Sequence, residues 1–488
     1  MNRLSADVAV IGAGPAGCVF AARMAALGFD VCLIERARFP RPHLGESLSP
    51  GLLPMLSSIG MAEAVQRAGF RRVHDVSSNW EGRETTRHDP RGQGLLVDRG
   101  AFDAALLAVA VARAVRVLQP ALARVQARAA EGWVLRIEHD GAPIELACKF
   151  LGDASGRAAR LGGARRFMGP RTLALHGYWT GRGLPRQPRI EAGAQAWYWG
   201  VPLPDGSYNT LVFMDAARIR DVRDDGGQSL EARLRGWLAT SALLRGVEDA
   251  TLLAAPRATD ATPYLYEECV GARHVRVGDA ALALDPLSSS GVQKAVQTAL
   301  AAAIVANTLL RRPHDGAAAR RYYQDNLADA AARHRGWAQG HYAAAGRADP
   351  FWTARAAPSG APGPLPSSPQ PAASPRATAP DDVPLRLSLD CQWEPVPCLG
   401  AEYVESKPAL RHPGVDGPIA YLGGHELAPL LRAVRSGMTS HQLASCWSPG
   451  LPFDTGLSIA RWLATRGVLE PDAAHPAAKR AVPAHHAD

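Results

Sequence analysis

Three glycines near the start of the chain, Gly12, Gly14 and Gly17, have the spacing of a loop that binds a phosphate group. In such loops the first glycine permits a tight turn, and the second lets the backbone approach a pyrophosphate. The third allows the following helix to pack closely on the preceding strand. Pro15 and Ala16 lie at the start of that helix, whose positive N-terminal end attracts phosphate. The spacing therefore predicts a dinucleotide site.

Two apolar strands are needed to position this loop. Residues 8–11 are apolar and run directly into Gly12, which is typical of a buried parallel strand. A second apolar segment, 30–34, ends in Glu35, about twenty residues beyond the glycines, where such folds place a carboxylate on the ribose hydroxyls. An isolated glycine motif also fits an ordinary strand–turn–helix, but the complete order of these elements favours dinucleotide binding.

The composition limits the class of protein. The 488 residues suffice for two or three domains, and the 47% apolar and 20% charged residues are typical of a soluble globular protein. No apolar run is long enough to span a bilayer, and no secretory signal is visible. Seven scattered cysteines argue against a disulfide framework, so we expect a cytoplasmic protein. The net charge of +8 rests on arginine, and we attribute it to compositional bias rather than to nucleic-acid binding. No cluster of residues predicts a metal site.

The order of strand-like and helical segments predicts an α/β protein. A discontinuous nucleotide-binding domain would comprise residues 1–75, 90–170 and 270–350. Strand-like segments joined by Pro/Gly turns predict an antiparallel sheet in a substrate domain made of residues 76–89 and 171–269.

The C-terminal part of the chain differs in composition. Residues 354–382 are rich in Pro, Ala and Ser and predict a linker. Residues 384–472 predict a small helical, winged-helix-like domain, and residues 473–488 predict a disordered tail. The last predicted helix, 454–467, lacks the basic stripe that nucleic acid requires. The small domain is therefore expected to cover the active site or to hold a polypeptide substrate.

Further motifs follow the glycine loop in a fixed order. They are Asp98-Arg99-x-x-Phe102-Asp103, Asp153-Ala-Ser-Gly156 and Gly278-Asp279-Ala. With the glycines and Glu35, they resemble the FAD-dependent monooxygenases of the p-hydroxybenzoate hydroxylase fold, over about residues 5–345. The chain is most similar to the branch that holds flavin-dependent halogenases and geranylgeranyl-reductase-like proteins. The resemblance implies a Rossmann-like FAD-binding domain of the glutathione-reductase type, with FAD as the cofactor.

The resemblance also assigns contacts to FAD. Arg99 would lie near the pyrophosphate, and Asp279 would hold the ribityl chain, with a helix N-cap as the alternative role of Asp279. Backbone N–H groups in the turn from Pro286 to Gly291 would face the flavin ring and stabilise its anionic reduced form. The other residues assigned to FAD are Arg36, Asp153, Gly278, Ser289, Ser290 and Val292.

Two segments are close to halogenase signatures. Trp197-Tyr-Trp199-Gly-Val-Pro202 resembles WxWxIP, and the segment 284–291 resembles FxPxxSxG. The lysine with which tryptophan halogenases handle hypohalous acid is missing, because Arg71 occupies about its expected place and arginine is unsuited to forming a haloamine. Ser288 replaces the family's carboxylate. Halogenation is therefore a second hypothesis, together with hydroxylation of a small aromatic molecule.

Because it lacks the lysine and has an additional C-terminal domain, the chain looks most similar to the flavoproteins that mature tryptophylquinone cofactors. Those enzymes hydroxylate a tryptophan within a partner subunit. The resemblance implies that reduced FAD and O2 form a C4a-hydroperoxide, whose distal oxygen the indole attacks. Electrons would come from NAD(P)H directly or through a partner reductase, since Asp153-Ala-Ser-Gly156 lacks the Asp-Gly motif of classical NAD(P)H-using hydroxylases.

His43, Glu46 and Ser47 lie on a segment that would pass near the flavin ring, and we predict them as catalytic residues. His43 could deprotonate an indole N–H or a hydroxyindole, with a surface histidine as the alternative. Glu46 and Ser47 could equally cap the following helix. Trp197 and Trp199 are alternate residues of one strand and are predicted to line the substrate pocket, with core packing as the alternative.

Two further hypotheses have different consequences. A double-bond reductase of the geranylgeranyl type would consume no O2 and would need an apolar groove shaped for a lipid. A non-catalytic flavin-binding scaffold is disfavoured, because the turn from Pro286 to Gly291 that faces the flavin is intact.

Overall fold

The computed structural model describes residues 2–90, 94–129, 131–220, 229–357 and 382–472. The chain divides into two compact units. The first unit comprises Met1–Ser359 with Ala401–Tyr403, and the second comprises Gly360–Gly400 with Val404–Asp488. Most of the predicted linker, residues 358–381, and the whole predicted tail, residues 473–488, lie outside the described residues. Within the described ranges, no helix is both long enough and apolar enough to cross a membrane.

The first unit contains most of the regular structure. Its strands are β1 Asn2–Ile11, β2 Val31–Ile34, β3 Ser47–Leu48, β4 Arg71–Val73, β5 Asp75–Asn79, β6 Glu84–His88, β7 Gly94–Leu96, β8 Arg116–Leu118, β9 Ala121–Ala129, β10 Gly132–His139, β11 Ala142–Asp153, β12 Arg165–Phe167, β13 Thr172–Thr180, β14 Arg189–Ala192, β15 Trp197–Pro202, β16 Tyr208–Asp215, β17 Thr251–Leu252, β18 Arg257–Asp260, β19 Tyr264–Tyr266, β20 Val270–Gly271, β21 His274–Arg276 and β22 Leu282–Ala283. Its helices are α1 Pro15–Ala26, α2 Leu52–Ser57, α3 Ala62–Arg67, α4 Arg99–Ala112, α5 Ala217–Arg220, α6 Leu230–Ala239, α7 Gly291–Arg311, α8 Gly316–Ala344 and α9 Pro350–Ala356. Helix α9 thus continues past residue 354, where the composition predicts the linker to begin.

The first sheet forms around the apolar strand that precedes the glycine loop. Strands β20, β21, β11, β1, β2 and β8 lie side by side in that order, and β10 and β9 extend the sheet from β11. Strand β1 pairs in parallel with β2 and with β11. Residues 8–11 are buried, as expected for a parallel strand covered by helices on both faces. The predicted α/β class with a Rossmann-like core is confirmed.

Helix α1 follows the glycine loop without a gap. Gly14 is its N-cap and Pro15 occupies its first position, where the missing N–H of proline costs no hydrogen bond. The helix packs against α7 and α4. Small residues on α1 and the alanine-rich α7 let these helices approach closely, so the N-terminal turns of both contribute to one cavity, described below.

The second sheet is mainly antiparallel. Its strands follow the order β17, β13, β16, β15, β14, β5 and β6, and β18 also pairs with β13. Only β14 and β5 pair in parallel among these strands of the described chain. Residues on one face pack against α6 around the buried Trp179 and Tyr198. We call the opposite face, which carries Trp197 and Trp199, the inner face.

The second unit is small and has its own core. Its strands are β23 Leu385–Leu387, β24 Gln392–Leu399, β25 Val404–Arg411, β26 Tyr421–Leu422, β27 His425–Glu426 and β28 Leu469–Pro471, and its helices are α10 Leu427–Arg432, α11 Ser440–Trp447 and α12 Phe453–Thr465. The helices bury an apolar cluster that includes Leu431, Leu443, Trp447 and Leu463. Thr439 begins α11 with a capping box, in which its hydroxyl and the Gln442 side chain satisfy backbone N–H groups.

Candidate active site

A cavity of about 1140 Å³ lies in the first unit, between the glycine loop and the inner face of the second sheet. Most residues predicted from the sequence as site residues line it: Gly12, Gly14, Pro15, Ala16, Glu35, Arg36, His43, Glu46, Ser47, Arg99, Trp197, Trp199, Gly278, Asp279, Pro286, Ser289, Gly291 and Val292. Gly17, Asp153 and Ser290 are not part of its wall. The folded chain therefore brings motifs from distant parts of the sequence to one space.

Glycine is needed at each of the three positions of the loop for a different local reason. Gly12 has a φ of +102°, and a Cβ there would lie 2.5 Å from the carbonyl oxygen of Ala154. A Cβ on Gly17 would overlap the carbonyl oxygen of Gly12, so Gly17 lets α1 pack on β1. At Gly14 the nearest atom to an added Cβ is the Arg41 guanidinium, 3.7 Å away. Gly14 therefore keeps open the space that a phosphate would enter.

Glu35 fixes the loop and is joined to a charged network. Its Oε2 accepts a hydrogen bond of 2.7 Å from the N–H of Ala13, and it is only 5% exposed. Arg41 lies between Glu35 and Asp103, at 3.8 and 3.6 Å from their carboxylates. Its Nε is buried and has no hydrogen-bond partner among the described residues. Sequence reasoning missed Arg41, although it lies in the arginine- and proline-rich segment after Glu35.

The hydrogen bonds of Arg99 go to other protein groups. Its guanidinium binds the Asp103 carboxylate through Nε and Nη2, at 3.0 and 3.2 Å. Its Nη1 donates to the carbonyl of Leu44. Arg99 thus anchors the segment that carries His43 to helix α4, and it still lines the cavity. The Arg41 guanidinium is the side-chain group nearest to Gly14 of the glycine loop, and a contact of Arg99 with the pyrophosphate stays a prediction from the resemblance.

Asp153 lies behind the cavity wall. Its Oδ1 accepts from the N–H and the hydroxyl of Ser155, at 3.1 and 2.6 Å. Its Oδ2 accepts from the N–H of Leu161 and faces Arg276 at 3.5 Å. Asp153 is fully buried, so it shapes the turn after β11. A direct contact of Asp153 with FAD stays a prediction from the resemblance.

Asp279 is held from behind by a buried lysine. The Nζ of Lys294 lies 2.6 Å from Oδ1 of Asp279 and also donates to the carbonyl of Leu282. Burial alone would raise the pKa of Asp279, but the Lys294 ammonium outweighs it and the net shift is downward. Burial lowers the pKa of Lys294, against the opposing effect of Asp279. Val277, not Asp279, is the N-cap of the short turn here, so the alternative role as a cap is not observed.

The turn from Pro286 to Gly291 borders the cavity beside the N-terminus of α7. Asp285 begins it by accepting from the N–H of Leu287 at 3.0 Å, and Tyr342 donates to both oxygens of Asp285. Burial raises the pKa of Asp285. Ser289 has a φ of +49°, which aims the chain into the helix. Gly291 and Val292 in the first turn of α7 line the cavity, where unpaired N–H groups favour negative charge.

The three predicted catalytic residues have different surroundings. His43 is exposed, and its Nδ1 lies 2.8 Å from the carbonyl of Leu44, so Nδ1 carries the hydrogen and Nε2 is an acceptor. Although part of the residue is exposed, partial desolvation in the cavity wall and the charge of Arg99 lower the pKa of His43. Ser47 pairs through β3 with Leu96. Glu46 does not cap the following helix, whose N-cap is Gly51.

The inner face of the second sheet forms the floor of the cavity. One cross-strand row consists of Arg257, His176, Leu211, Trp199 and Ile190, each directly opposite the next. The adjacent row consists of Thr259, Ala174, Phe213 and Trp197. All nine side chains line the cavity. The floor is therefore apolar toward β14 and β15 and polar toward β13 and β18.

Trp197 and Trp199 share the inner face but have different roles in packing. Trp197 is 2% exposed and stacks on Phe213 with 3.7 Å between ring centroids. It belongs to the apolar core that also contains Phe351 and Trp352. Trp199 is only half-buried. Both tryptophans line the cavity, but Trp197 belongs to the core cluster itself, whereas Trp199 packs against that cluster from a half-buried position.

His176 is a cavity residue that sequence reasoning missed. It is 6% exposed, and its Nε2 lies 3.3 Å from Oγ1 of Thr259. Its buried Nδ1 has no hydrogen-bond partner among the described residues. Desolvation and the nearby Arg257 lower the pKa of His176 to about 4, so the imidazole is neutral at neutral pH. The alternation of Ala174, His176 and Tyr178 along β13 is the signal that could have identified it.

The cavity wall fits FAD. It joins the glycine loop and the positive N-terminus of α1 to Glu35, and it continues past Asp279 to the N-terminus of α7. Nη2 of Arg41 lies beside the loop, 3.7 Å from the position of a Cβ on Gly14, and Gly14 leaves room for a phosphate. The volume of about 1140 Å³ is above the range of roughly 300–1,000 Å³ for small-molecule sites, which leaves space for a substrate as well.

Comparisons with known proteins agree with this geometry. A family model described as tryptophan halogenase matches residues 85–365, and one described as FAD binding domain matches residues 5–162. The tryptophan 2-halogenase of Chondromyces crocatus is 32% identical over 343 residues, which cover 66% of this chain and 64% of that protein. The match thus spans slightly less than two thirds of the relative.

Solved structures extend the similarity to most of the chain. The peptidyl tryptophan dihydroxylase QhpG, essential for tryptophylquinone cofactor biogenesis, is 27% identical with a TM-score of 0.69, and the match covers 95% of this chain and 99% of QhpG. The flavin-dependent halogenase CmlS has a TM-score of 0.76 at 21% identity over 97% of each chain, which shows a common fold. Because the halogenase family model covers more than half of the sequence, the chain belongs to the tryptophan halogenase family of FAD-dependent enzymes.

Proposed function

We propose that the protein is an FAD-dependent monooxygenase that hydroxylates an indole ring, the side chain of a tryptophan in a partner protein. The observation that carries this proposal is the similarity to QhpG over 95% of this chain, which extends through the C-terminal part of the sequence. QhpG is a peptidyl tryptophan dihydroxylase, and its relation to tryptophylquinone biogenesis suggests the same class of substrate here.

The chemistry of the cavity supports hydroxylation over halogenation. No lysine is among the residues that line it in the described part of the chain. Lys294 lies behind Asp279, and Lys149 pairs with Asp7 at the surface. Arg71, near the expected place of the halogenase lysine, is exposed on β4 and donates to the carbonyl of Arg186. Among the described residues, the cavity wall therefore carries no lysine amine that would capture hypohalous acid.

The side chains of the cavity have clear tasks in this reaction. When bound, reduced FAD together with O2 supplies an electrophilic oxygen atom. Leu211, Phe213 and Trp199 form an apolar surface that holds an aromatic ring and excludes water. His43, neutral and with Nε2 as acceptor, would take the proton that the ring releases.

Two partners belong to this proposal. One is the protein that carries the target tryptophan, and the other is the electron source, NAD(P)H directly or through a flavin reductase. We also propose that the protein works in the cytoplasm, where reducing conditions keep all seven of its cysteines as thiols.

Halogenation is the second candidate. The family model and the 32% identity to a tryptophan 2-halogenase favour it. It would need a different group to handle hypohalous acid than the lysine of the tryptophan halogenases.

One experiment separates the candidates. FAD-loaded enzyme is reduced photochemically and mixed with aerated buffer and tryptophan-bearing partner proteins, with and without bromide. We expect a mass gain of one or two oxygen atoms on a tryptophan, unchanged by bromide, and no gain with enzyme that was not reduced. Incorporation of bromine would overturn the proposal in favour of halogenation. A lack of any O2-dependent product would favour the reductase hypothesis.

A further inference from the structure

Tyr178, Asn209 and Glu46 form a hydrogen-bonded group at the polar side of the cavity floor. Tyr178 on β13 and Asn209 on β16 are directly opposite each other on the inner face. Both reach the same carboxylate: the Tyr178 hydroxyl donates to Oε1 of Glu46 at 2.6 Å, and Nδ2 of Asn209 donates to it at 3.0 Å. Glu46 is 3% exposed, so this contact is shielded from solvent.

The donors around Glu46 fix the direction of the Tyr178 hydroxyl. Oε2 of Glu46 accepts from the backbone N–H of Gly45 at 2.9 Å, and Oε1 accepts from the Asn209 amide. The carboxylate therefore acts as an acceptor on every side. Burial and the charge of Glu46 raise the pKa of Tyr178, so the phenol keeps its proton and directs it to Glu46. The remaining capacity of the phenol oxygen is to accept a hydrogen bond.

The side chain of Tyr178 borders a suitable place for a substrate. Tyr178 is half-buried and lines the cavity. It lies next along the strand to His176, with their rings edge to face at 6.3 Å. Beyond His176, the row continues to Leu211 and Trp199, which offer an apolar surface for an aromatic ring. A ring that lies on this surface with a donor directed at Tyr178 matches an indole with its single N–H.

We propose that Tyr178 accepts a hydrogen bond from the indole N–H of the substrate and so orients the ring on the floor of the cavity. Glu46 is then a positioning residue that acts through Tyr178, because it holds the hydroxyl proton away from the substrate. This inference rests on the indole substrate of the proposed function. It replaces the direct catalytic role of Glu46 that the sequence suggests.

Binding of two matched probes to the FAD-loaded enzyme tests the inference. Indole and benzothiophene have nearly the same shape, but sulfur replaces the N–H donor. We expect the wild-type enzyme to bind indole about five-fold more tightly in isothermal titration calorimetry, the effect of one hydrogen bond. Tyr178→Phe should bring the ratio close to one. The control Tyr198→Phe removes a hydroxyl from the opposite face of the same sheet and should keep the preference.

Further outcomes decide each part of the inference. Glu46→Gln should give an intermediate ratio, because an amide can donate as well as accept and no longer fixes the hydroxyl proton. An unchanged ratio in Tyr178→Phe would overturn the role of Tyr178, as would equal binding of both probes by the wild type. Binding of neither probe would overturn the indole substrate itself, and with it this inference.

Discussion

Lys294 and Asp279 form an ion pair in which the ammonium lies behind the carboxylate as seen from the cavity. The Nζ–Oδ1 distance is 2.6 Å, and the Lys294 side chain is 6% exposed, whereas the Asp279 side chain is 38% exposed. Oδ2 of Asp279 has Arg157 at 4.0 Å. The pair connects the Gly278-Asp279 motif to helix α7, whose first turn borders the same cavity. The resemblance places the ribityl chain at Asp279, so Lys294 would orient the group that binds it.

Replacing Lys294 should weaken FAD binding and the fold together. In Lys294→Met the Asp279 carboxylate loses its partner, and we expect a loss of about 1–2 kcal/mol in unfolding free energy, less than for a fully buried pair because Asp279 is partly exposed. Urea unfolding and FAD titration measure the two effects. The double variant Lys294→Met with Asp279→Asn should regain the stability but not the FAD affinity. Equal stability of Lys294→Met and wild type would contradict the role of the pair.

Two alanine substitutions in the glycine loop should have opposite effects, one on stability and the other on FAD binding. Gly17→Ala forces a methyl group against the Gly12 carbonyl and should lower the stability of the FAD-free protein by about 1–3 kcal/mol. Gly14 has an ordinary φ of −68° and open space, so Gly14→Ala should leave that stability unchanged. It should weaken FAD binding about ten-fold, because the methyl group occupies the approach of a phosphate. Thermal unfolding without FAD and titration with FAD separate the effects, and a stable Gly17→Ala protein would refute the packing argument.

Alanine substitutions of the two tryptophans of β15 should differ in their effects on stability and on binding. Trp197→Ala removes a buried ring that stacks on Phe213, and we expect a loss of about 3–5 kcal/mol in unfolding free energy. Trp199→Ala should cost only about 1 kcal/mol, since the ring is half-buried, and it should weaken binding of aromatic probes. Chemical denaturation and probe titration test both. A larger stability loss for Trp199→Ala than for Trp197→Ala would be inconsistent with the inner-face assignment.

His176 should make the fold sensitive to acid. Its pKa is about 4 in the folded chain, below the ordinary value of 6.5, so the unfolded state binds the proton more strongly at intermediate pH. Stability is therefore complete above pH 6.5 and falls as the pH decreases toward 4. The loss from this group should reach about 2 kcal/mol at pH 5.

Urea unfolding at pH 7 and pH 5 measures this effect. His176→Gln should unfold with a smaller difference between the two pH values than the wild type. His314→Gln changes a histidine whose side chain is 77% exposed and serves as the matched control. If His176→Gln keeps the full pH dependence, another buried group is responsible.

The sequence was sufficient for the parts of the site that are contiguous in the chain. The glycine loop and Glu35 could be predicted because one strand–turn–helix–strand segment places them together, and the Asp279 motif could be assigned by resemblance. Arg41 and Lys294 were not predicted, because their positions depend on which distant residues the folded chain brings beside them. The contact of Glu46 with Tyr178 is of this kind, since it joins residues 132 positions apart. Asp153 is the opposite case: it was predicted from its motif, but its carboxylate oxygens accept hydrogen bonds from Ser155 and Leu161.

The row from Arg257 to Ile190 has a consequence for the choice of substrate. Its five side chains come from five strands, each about 4.8 Å from the next, so each position controls one narrow strip of the floor. The phosphate-binding loop belongs to a different sheet. A single substitution along the row would therefore reshape one strip of the floor and leave the sheet that carries the glycine loop unchanged.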